Sequence, residues 1–360
     1  MWNKGIYGTT IAEEPPLASE LLTLLDAALA DCLPAAWHVD MRLPQEFGAA
    51  ALLTIGAPDG SAARVAVVTK RRVDPRDVPQ LLEQHHPSGT ADALLVAAPF
   101  LGQRTRERLR TAGVGYMDAT GNLRLELTRP VAVIALHGTS ASPWRETRPL
   151  HSLKGPTAGR VVRALCDFRT PFGIRELAQR SQTSPATVSR VVALLDREAL
   201  VTRGGRGTVA GVVWPALLRR WTQDYALITS NTTRAFLEPR GLAALLHKLV
   251  AADLRHAVTG SLAAAGVAPL APTRLAILYV DDIAAAATSL QLRHTESGAN
   301  VLLARPYDTV VYDRTTRRDG IQYAALTQVV ADLLTSPGRG PAEGEELLHW
   351  MERNDHVWHR

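Results

Sequence analysis

The stretch Thr183 to Gly207, TSPATVSRVVALLDREALVTRGGRG, constrains what this chain can fold into more than any other. Val188, Val191, Val192 and Leu195 recur at i, i+3, i+4 and i+7, which puts four apolar side chains on one face of an α-helix. Ser184-Pro185 marks its start, because a serine hydroxyl accepts from a free first-turn amide and proline tolerates the first helical position. A helical wheel places Ala186, Arg190, Ala193 and Arg197 on the opposite face, with Thr187 and Ser189 on its flanks. One side is built for a core, the other for solvent or a ligand.

The neighbouring sequence completes a module. Val161, Val162 and Leu165 line an earlier helix, and after the Arg169 to Gly173 break Ile174, Leu177 and Ala178 line a second. Gln182 to Ser184 make a polar turn into the third helix. Leu200-Val201-Thr202 and Val209 to Trp214 predict two short strands around a flexible loop, Arg203-Gly204-Gly205-Arg206-Gly207. Helix, helix, turn, helix, wing resembles the winged helix-turn-helix of bacterial regulators. The resemblance implies double-stranded DNA as partner: small residues let the helix backbone enter the major groove, and arginine arms reach base edges or phosphates. The candidate DNA-binding residues are Ser184, Ala186, Thr187, Ser189, Arg190 and Arg197 on the helix, and Arg203 and Arg206 on the loop.

Charge points the same way. The chain carries +5 in all, but Lys154 to Asp224 holds twelve Lys or Arg against five Asp or Glu, +7, so the remainder sums to −2. Basic charge concentrated in one module is the expected footprint of a polyanionic partner.

At 360 residues the chain exceeds one ordinary domain. The expected class is multi-domain α/β: residues 15–150 an α/β domain, 157–222 the winged module, 225–353 a second α/β domain. In the first, LASELLTLLDAALADCL predicts a helix, AAALLTIGAPDGSAARVAVVTKRR two strands around a Pro-Gly turn, ADALLVAAPFL a strand buried on both faces, Gly102 to Ala112 a helix, and GVGYMDATGNLRLEL two strands around Gly121-Asn122. Beyond 225, LAALLHKLVAADL, ALTQVVADLLT and GEELLHWMERN predict helices, and HAVTGS, RLAILYVDD, NVLLARPY and TVVYDR strands. With only Cys32 and Cys166, no signal-peptide layout and no run of 18 apolar residues, a cytoplasmic protein without membrane contact is expected.

Three further stretches resemble the AbiEi-like antitoxin and transcriptional regulator family: residues 94–125 with Tyr116, Asp118, Gly121 and Asn122, then 256–269 and 331–351. That resemblance implies a DNA-binding repressor, in some cases paired with a nucleotidyltransferase toxin, although the family places its DNA-binding module near the N-terminus and here it is central. The first domain also resembles the restriction-endonuclease-like fold, whose metal site uses an acidic residue two before a lysine. Here Val68 stands in the acidic position before Lys70, and Asp40, Glu46 and Asp59 lack the spacing to replace it. Gly260-Ser261 with Asp281-Asp282 is similar to a nucleotidyltransferase site, but adjacent residues on a strand point to opposite faces, so helix capping is expected of the aspartates. No His-Glu-x-x-His, Cys-x-x-Cys, nucleophile-elbow or glycine-rich phosphate motif occurs.

The expectation is a transcriptional regulator, a repressor acting as a homodimer on double-stranded DNA, with no catalytic residue, no metal and no cofactor. The alternative is a nucleic-acid-processing, phage-defence or toxin-antitoxin component that uses the nuclease-like domain, with a toxin-like protein as partner.

Overall fold

The structure, a computed structural model, describes residues 15–42, 50–84, 91–144, 152–295 and 297–359. Glu46 lies outside the described residues, as does the side chain of Arg206. The chain is of the α/β class. It divides into two compact units, Met1–Pro149 with Arg197–Ala199, and Leu150–Asp196 with Leu200–Arg360.

The first unit is a seven-stranded sheet whose strands follow in chain order. Helix α1 (Ala18–Cys32) precedes β1 (His38–Arg42), β2 (Ala51–Gly56) and β3 (Ala62–Thr69), which pair antiparallel. Helix α2 (Val78–Gln84) crosses to β4 (Ala93–Ala98), parallel to β3, and α3 (Gln103–Thr111) crosses to β5 (Gly115–Asp118), parallel to β4. Strands β6 (Leu123–Thr128) and β7 (Val131–Leu136) return antiparallel. Alternation along the central strands feeds two cores. Val65, Val67, Leu95 and Ala97 pack with Leu21, Leu25 and Leu29 of α1, while Val68, Leu94 and Val96 pack with Val78, Leu81 and Leu109 from α2 and α3. Burial on both faces is why β4 reads as an unbroken apolar run. Strands β1 and β7 were not expected from the sequence; both are edge strands, and β7 leaves Val131 and Val133 exposed.

The second unit opens with α4 (Pro156–Asp167), α5 (Ile174–Arg180) and α6 (Pro185–Arg197), then the hairpin β8 (Val201–Arg203) and β9 (Val209–Val212), and α7 (Trp214–Trp221). There follow α8 (Leu227–Ser230), β10 (Thr232–Leu237), α9 (Leu242–Ala251), β11 (His256–Thr259), α10 (Gly260–Ala264), β12 (Ala276–Val280), α11 (Ile283–Ser289), β13 (Arg293–His294) and β14 (Val301–Arg305). The chain ends through β15 (Thr316–Arg318), β16 (Ile321–Tyr323), α12 (Leu326–Leu334), α13 (Gly340–Arg353) and the short α14 (Asp355–Trp358). The larger sheet runs β13-β10-β14-β12-β11-β16-β15.

One continuous core joins the three-helix module to this sheet: Leu165, Leu195, Leu217 and Trp221 belong to the same buried cluster as Leu245, Leu278, Val329 and Leu348. The expected boundary between 222 and 225 falls inside it. Arg163 of α4, fully buried, bonds Asp167 and the Gln328 side chain of α12, so polar contacts also cross that boundary. The expected strand TVVYDR is instead a single 3-10 turn, Thr309–Tyr312. Asp308 caps it by accepting the Val310 amide at 2.8 Å, and the short apolar run is buried by the turn rather than by sheet pairing.

Candidate nucleic-acid interface

The N-terminal end of α6 is organised by its own side chains. Ser184 Oγ accepts the Thr187 amide at 3.2 Å and donates to Thr187 Oγ1 at 3.0 Å. One turn on, Arg190 Nη2 donates to the same Thr187 oxygen at 3.4 Å. Helical side chains lean toward the N-terminus, so i, i+3 neighbours meet, and the ridge Ser184, Thr187, Arg190 holds the guanidinium over the start of the helix. Ser184, Ala186, Ser189 and Arg190 are exposed and Thr187 is half-buried, while Val188, Val191, Val192, Leu194 and Leu195 are buried. Ala193 and Arg197, assigned to the same open face by the wheel, are half-buried, so that face narrows toward the C-terminal end of α6.

The hairpin is held from both sides. Phe172 pairs with Val209, exchanging two backbone bonds of 2.9 Å, and lies buried beneath the strands. The glycine-rich loop, expected to be flexible, is folded as a hydrogen-bonded turn. Gly204 donates to the Thr208 carbonyl at 2.8 Å, Thr208 Oγ1 donates to the Gly205 carbonyl at 3.0 Å, and Gly207 takes φ +75°, a conformation that favours glycine. Arg203 is exposed on β8, with its Nε 3.4 Å from Asp196 Oδ2 of α6. Arg206 lies in the turn, its side chain outside the description.

Two residues of this surface were not singled out from the sequence. Arg175 in the first turn of α5 and Gln182 in the turn before α6 are both exposed, and Gln182 takes φ +50°. Arg175 was counted among the basic residues, but only burial distinguishes it from Arg163.

The structure redistributes the charge. Arg163 and Arg220 are buried against Asp167 and Asp224, and Arg160, Arg169 and Arg219 pair with Asp308, Asp355 and Glu345, acids outside the counted window. Among the described basic residues of that window, Lys154, Arg175 and Arg190 are exposed with no acidic partner. The +7 is therefore not a uniform basic surface; of the three open residues, Arg175 is on α5, Arg190 on α6, and Lys154 precedes α4.

The other expected sites resolve differently. Val68 is buried under α2 and α3. Lys70, at the end of β3, borders a small polar cavity with Arg72, Asp77, Gln80 and Gln84, in which Asp77 is the single carboxylate. Asp40 pairs with Arg42 on β1, and Asp59 closes its own turn by accepting from Ser61, whose hydroxyl and amide bonds hold its carboxyl below the usual range. Asp118 is fully buried and accepts from the Leu101, Thr120 and Asn122 amides and the Thr120 hydroxyl, while Asn122 accepts from the Gly138 amide and from Arg106. The Tyr-x-Asp-x-x-Gly-Asn segment is thus a saturated structural knot. Asp282 caps α11 by accepting the Ala285 amide at 2.9 Å, while Asp281 stands 3.8 Å from Arg255 Nη1, so the two aspartates diverge. Among the described residues no group of three or more His, Cys, Asp or Glu is placed to hold a metal ion. Nor is any helix there long and apolar enough to cross a membrane. Cys32 is exposed and Cys166 buried, both as free thiols.

No family model, curated protein or solved structure matches the chain.

Proposed function

We propose that the chain is a sequence-specific double-stranded DNA-binding transcriptional regulator, a repressor, that inserts the N-terminal end of α6 into the major groove. One observation carries this reading: a helix with one face wholly buried presents Ser184, Ala186, Ser189 and Arg190 at its exposed end, immediately ahead of a hairpin bearing Arg203 and Arg206. Small side chains there allow close approach of the backbone, and Arg190 is long enough to reach a base edge. The hairpin arginines serve phosphates or the minor groove, which position the protein without reading sequence. Arg175 at the start of α5 extends the phosphate contacts.

In this reading the resemblance of the Tyr116 to Asn122 segment to AbiEi-like regulators is one of family, and the protein works as a homodimer on a two-fold site in the cytoplasm, since one winged helix spans only a short stretch of duplex. The first unit acts as a scaffold, without a hydrolytic step. What supports this is that Val68 occupies the acidic position beside Lys70 and is committed to the core.

Selection of bound duplexes from a random pool, followed by anisotropy titration of the winner in a salt series, tests the proposal. A selected site bound at least a hundredfold tighter than random duplex is expected. Equal affinity for both, or affinity indifferent to salt, would overturn it.

A further inference from the structure

A cavity of about 420 Å³ opens in the second unit between the end of α4, the β15-β16 hairpin and the C-terminal segment. Its polar lining is Arg314, Arg318 and Asp167 together with His356 and His359, and its aromatic lining is Tyr323, Trp350 and Trp358. The volume falls in the range of small-molecule sites, which combine apolar walls with a few fixed polar groups.

The polar groups are short of partners. Asp167 accepts from Arg163, Arg314 and Thr327, so its oxygens are engaged. Arg314 Nη2, Arg318 Nε and His359 Nε2 are buried without a hydrogen-bond partner. A buried donor left unmatched costs about 1–3 kcal/mol, more when charged, and a ligand in the cavity would supply the missing partners of these three atoms. Arg314 is also held at φ +57°, a left-handed backbone conformation uncommon for a side chain of its size. The Arg318 guanidinium carbon stands over the Tyr323 ring, 4.1 Å from its centroid, and the side chain lies against Gly266, where an added Cβ would stand 1.8 Å from its Nη1. Two guanidiniums against one already engaged carboxylate leave an excess of one positive charge on the lining, and the indole walls match a flat ring.

We propose that this cavity binds a small aromatic carboxylate, its anionic group taken by Arg314 and Arg318 and its ring by Trp350, Trp358 and Tyr323. Two of the walls belong to the winged module or touch it. Asp167 is the last residue of α4, and the Trp358 ring meets Trp214, the first residue of α7 after the wing, edge-on at 4.9 Å. Occupancy that draws Arg314 toward the ligand shifts its bond to Asp167, so the ligand is an effector of the module. That second step rests on the DNA-binding reading; the binding site does not.

Calorimetric titration of the full chain without DNA, using 2-naphthoate and its neutral isostere 2-naphthamide, separates the two. Saturable one-to-one binding of 2-naphthoate, about tenfold or more tighter than the amide and weakened about tenfold in Arg318→Gln, is expected. Equal binding of acid and amide, no saturable binding of the acid, or unchanged binding in a folded Arg318→Gln protein would overturn the site. Arg318 is chosen because Arg314→Gln disturbs the buried Asp167; should Arg318→Gln also fail to fold, Thr316→Trp at the exposed rim blocks the cavity instead, and unchanged naphthoate binding in it is equally fatal. With the selected duplex, a threefold or greater change in DNA affinity at saturating naphthoate is expected, and no change overturns the effector role. Absence of any DNA binding would instead defeat the proposed function and leave the calorimetric result standing.

Discussion

Arg203 on β8 is ion-paired to Asp196 on α6, Nε to Oδ2 at 3.4 Å. Arg203 is thereby tethered to the helix it follows, and in the proposed DNA complex a phosphate would compete with Asp196 for it. A partly exposed pair of this kind is worth at most about 1 kcal/mol. Asp196→Asn is therefore expected to tighten binding to every duplex by about two- to fivefold, read by anisotropy on specific and random sequences. Weaker binding to both would mean that Asp196 supports the fold of the interface and does not restrain Arg203.

The double variant Arg203→Ala, Arg206→Ala tests the wing from the other side. If both residues contact phosphate, affinity for all sequences falls together, and the slope of log affinity against log salt becomes shallower by roughly 1–2. An unchanged slope would remove the wing from the interface.

Arg190→Ala addresses base reading. Its guanidinium reaches back to Thr187 Oγ1 at 3.4 Å, a long bond that a base edge can replace. A loss of about 1–3 kcal/mol on the selected site, with little loss on random duplex, is expected. A folded variant that keeps full discrimination contradicts the docking.

Asp118→Ala should cost the first unit about 2–4 kcal/mol, because it strands the Leu101 and Asn122 amides in a buried turn. Gly138→Ala should act on the same turn, since its Cβ would stand 2.1 Å from the Thr120 carbonyl oxygen. Denaturant unfolding of both variants measures this, and a change below 0.5 kcal/mol in Asp118→Ala would show the knot to be dispensable.

Acid should loosen the second unit through Asp224. Burial pushes this carboxyl up, but bonds from Arg220, the Leu153 amide and the Ser152 hydroxyl outweigh it and hold the group below its ordinary range. A depressed folded-state pKa contributes stability that is whole above the unfolded value of about 4 and is lost as pH falls through the folded value. Thermal scans should therefore show the wild-type advantage over Asp224→Asn shrinking as pH drops below about 4. An advantage independent of pH would exclude this linkage.

What the sequence determined by itself is local. The buried face of α6, the Ser184 cap, the helix α1 stripe and the double burial of β4 each follow from the period of apolar residues and one or two start signals, interactions that span no more than a turn of helix or a strand's width. Asp282 as the cap of α11 belongs with them. The tertiary structure decided everything that depends on distant partners. Arg163 and Arg190 are both basic helical residues in one window, and only packing against Asp167 and Gln328 buries the first while the second stays open. The run TVVYDR carries strand composition, yet Asp308, which also bonds Arg160, caps it into a turn. Strands β1 and β7 are edge strands mostly exposed or half-buried, without a buried face for alternation to mark, and β15 and β16 are three residues each, too brief for it to register. The arginine- and tryptophan-lined cavity draws on residues from Asp167 to His359, separated by almost two hundred positions. No periodicity connects them, because side chains so far apart in sequence become neighbours only when burial of the shared core has already fixed the path of the chain.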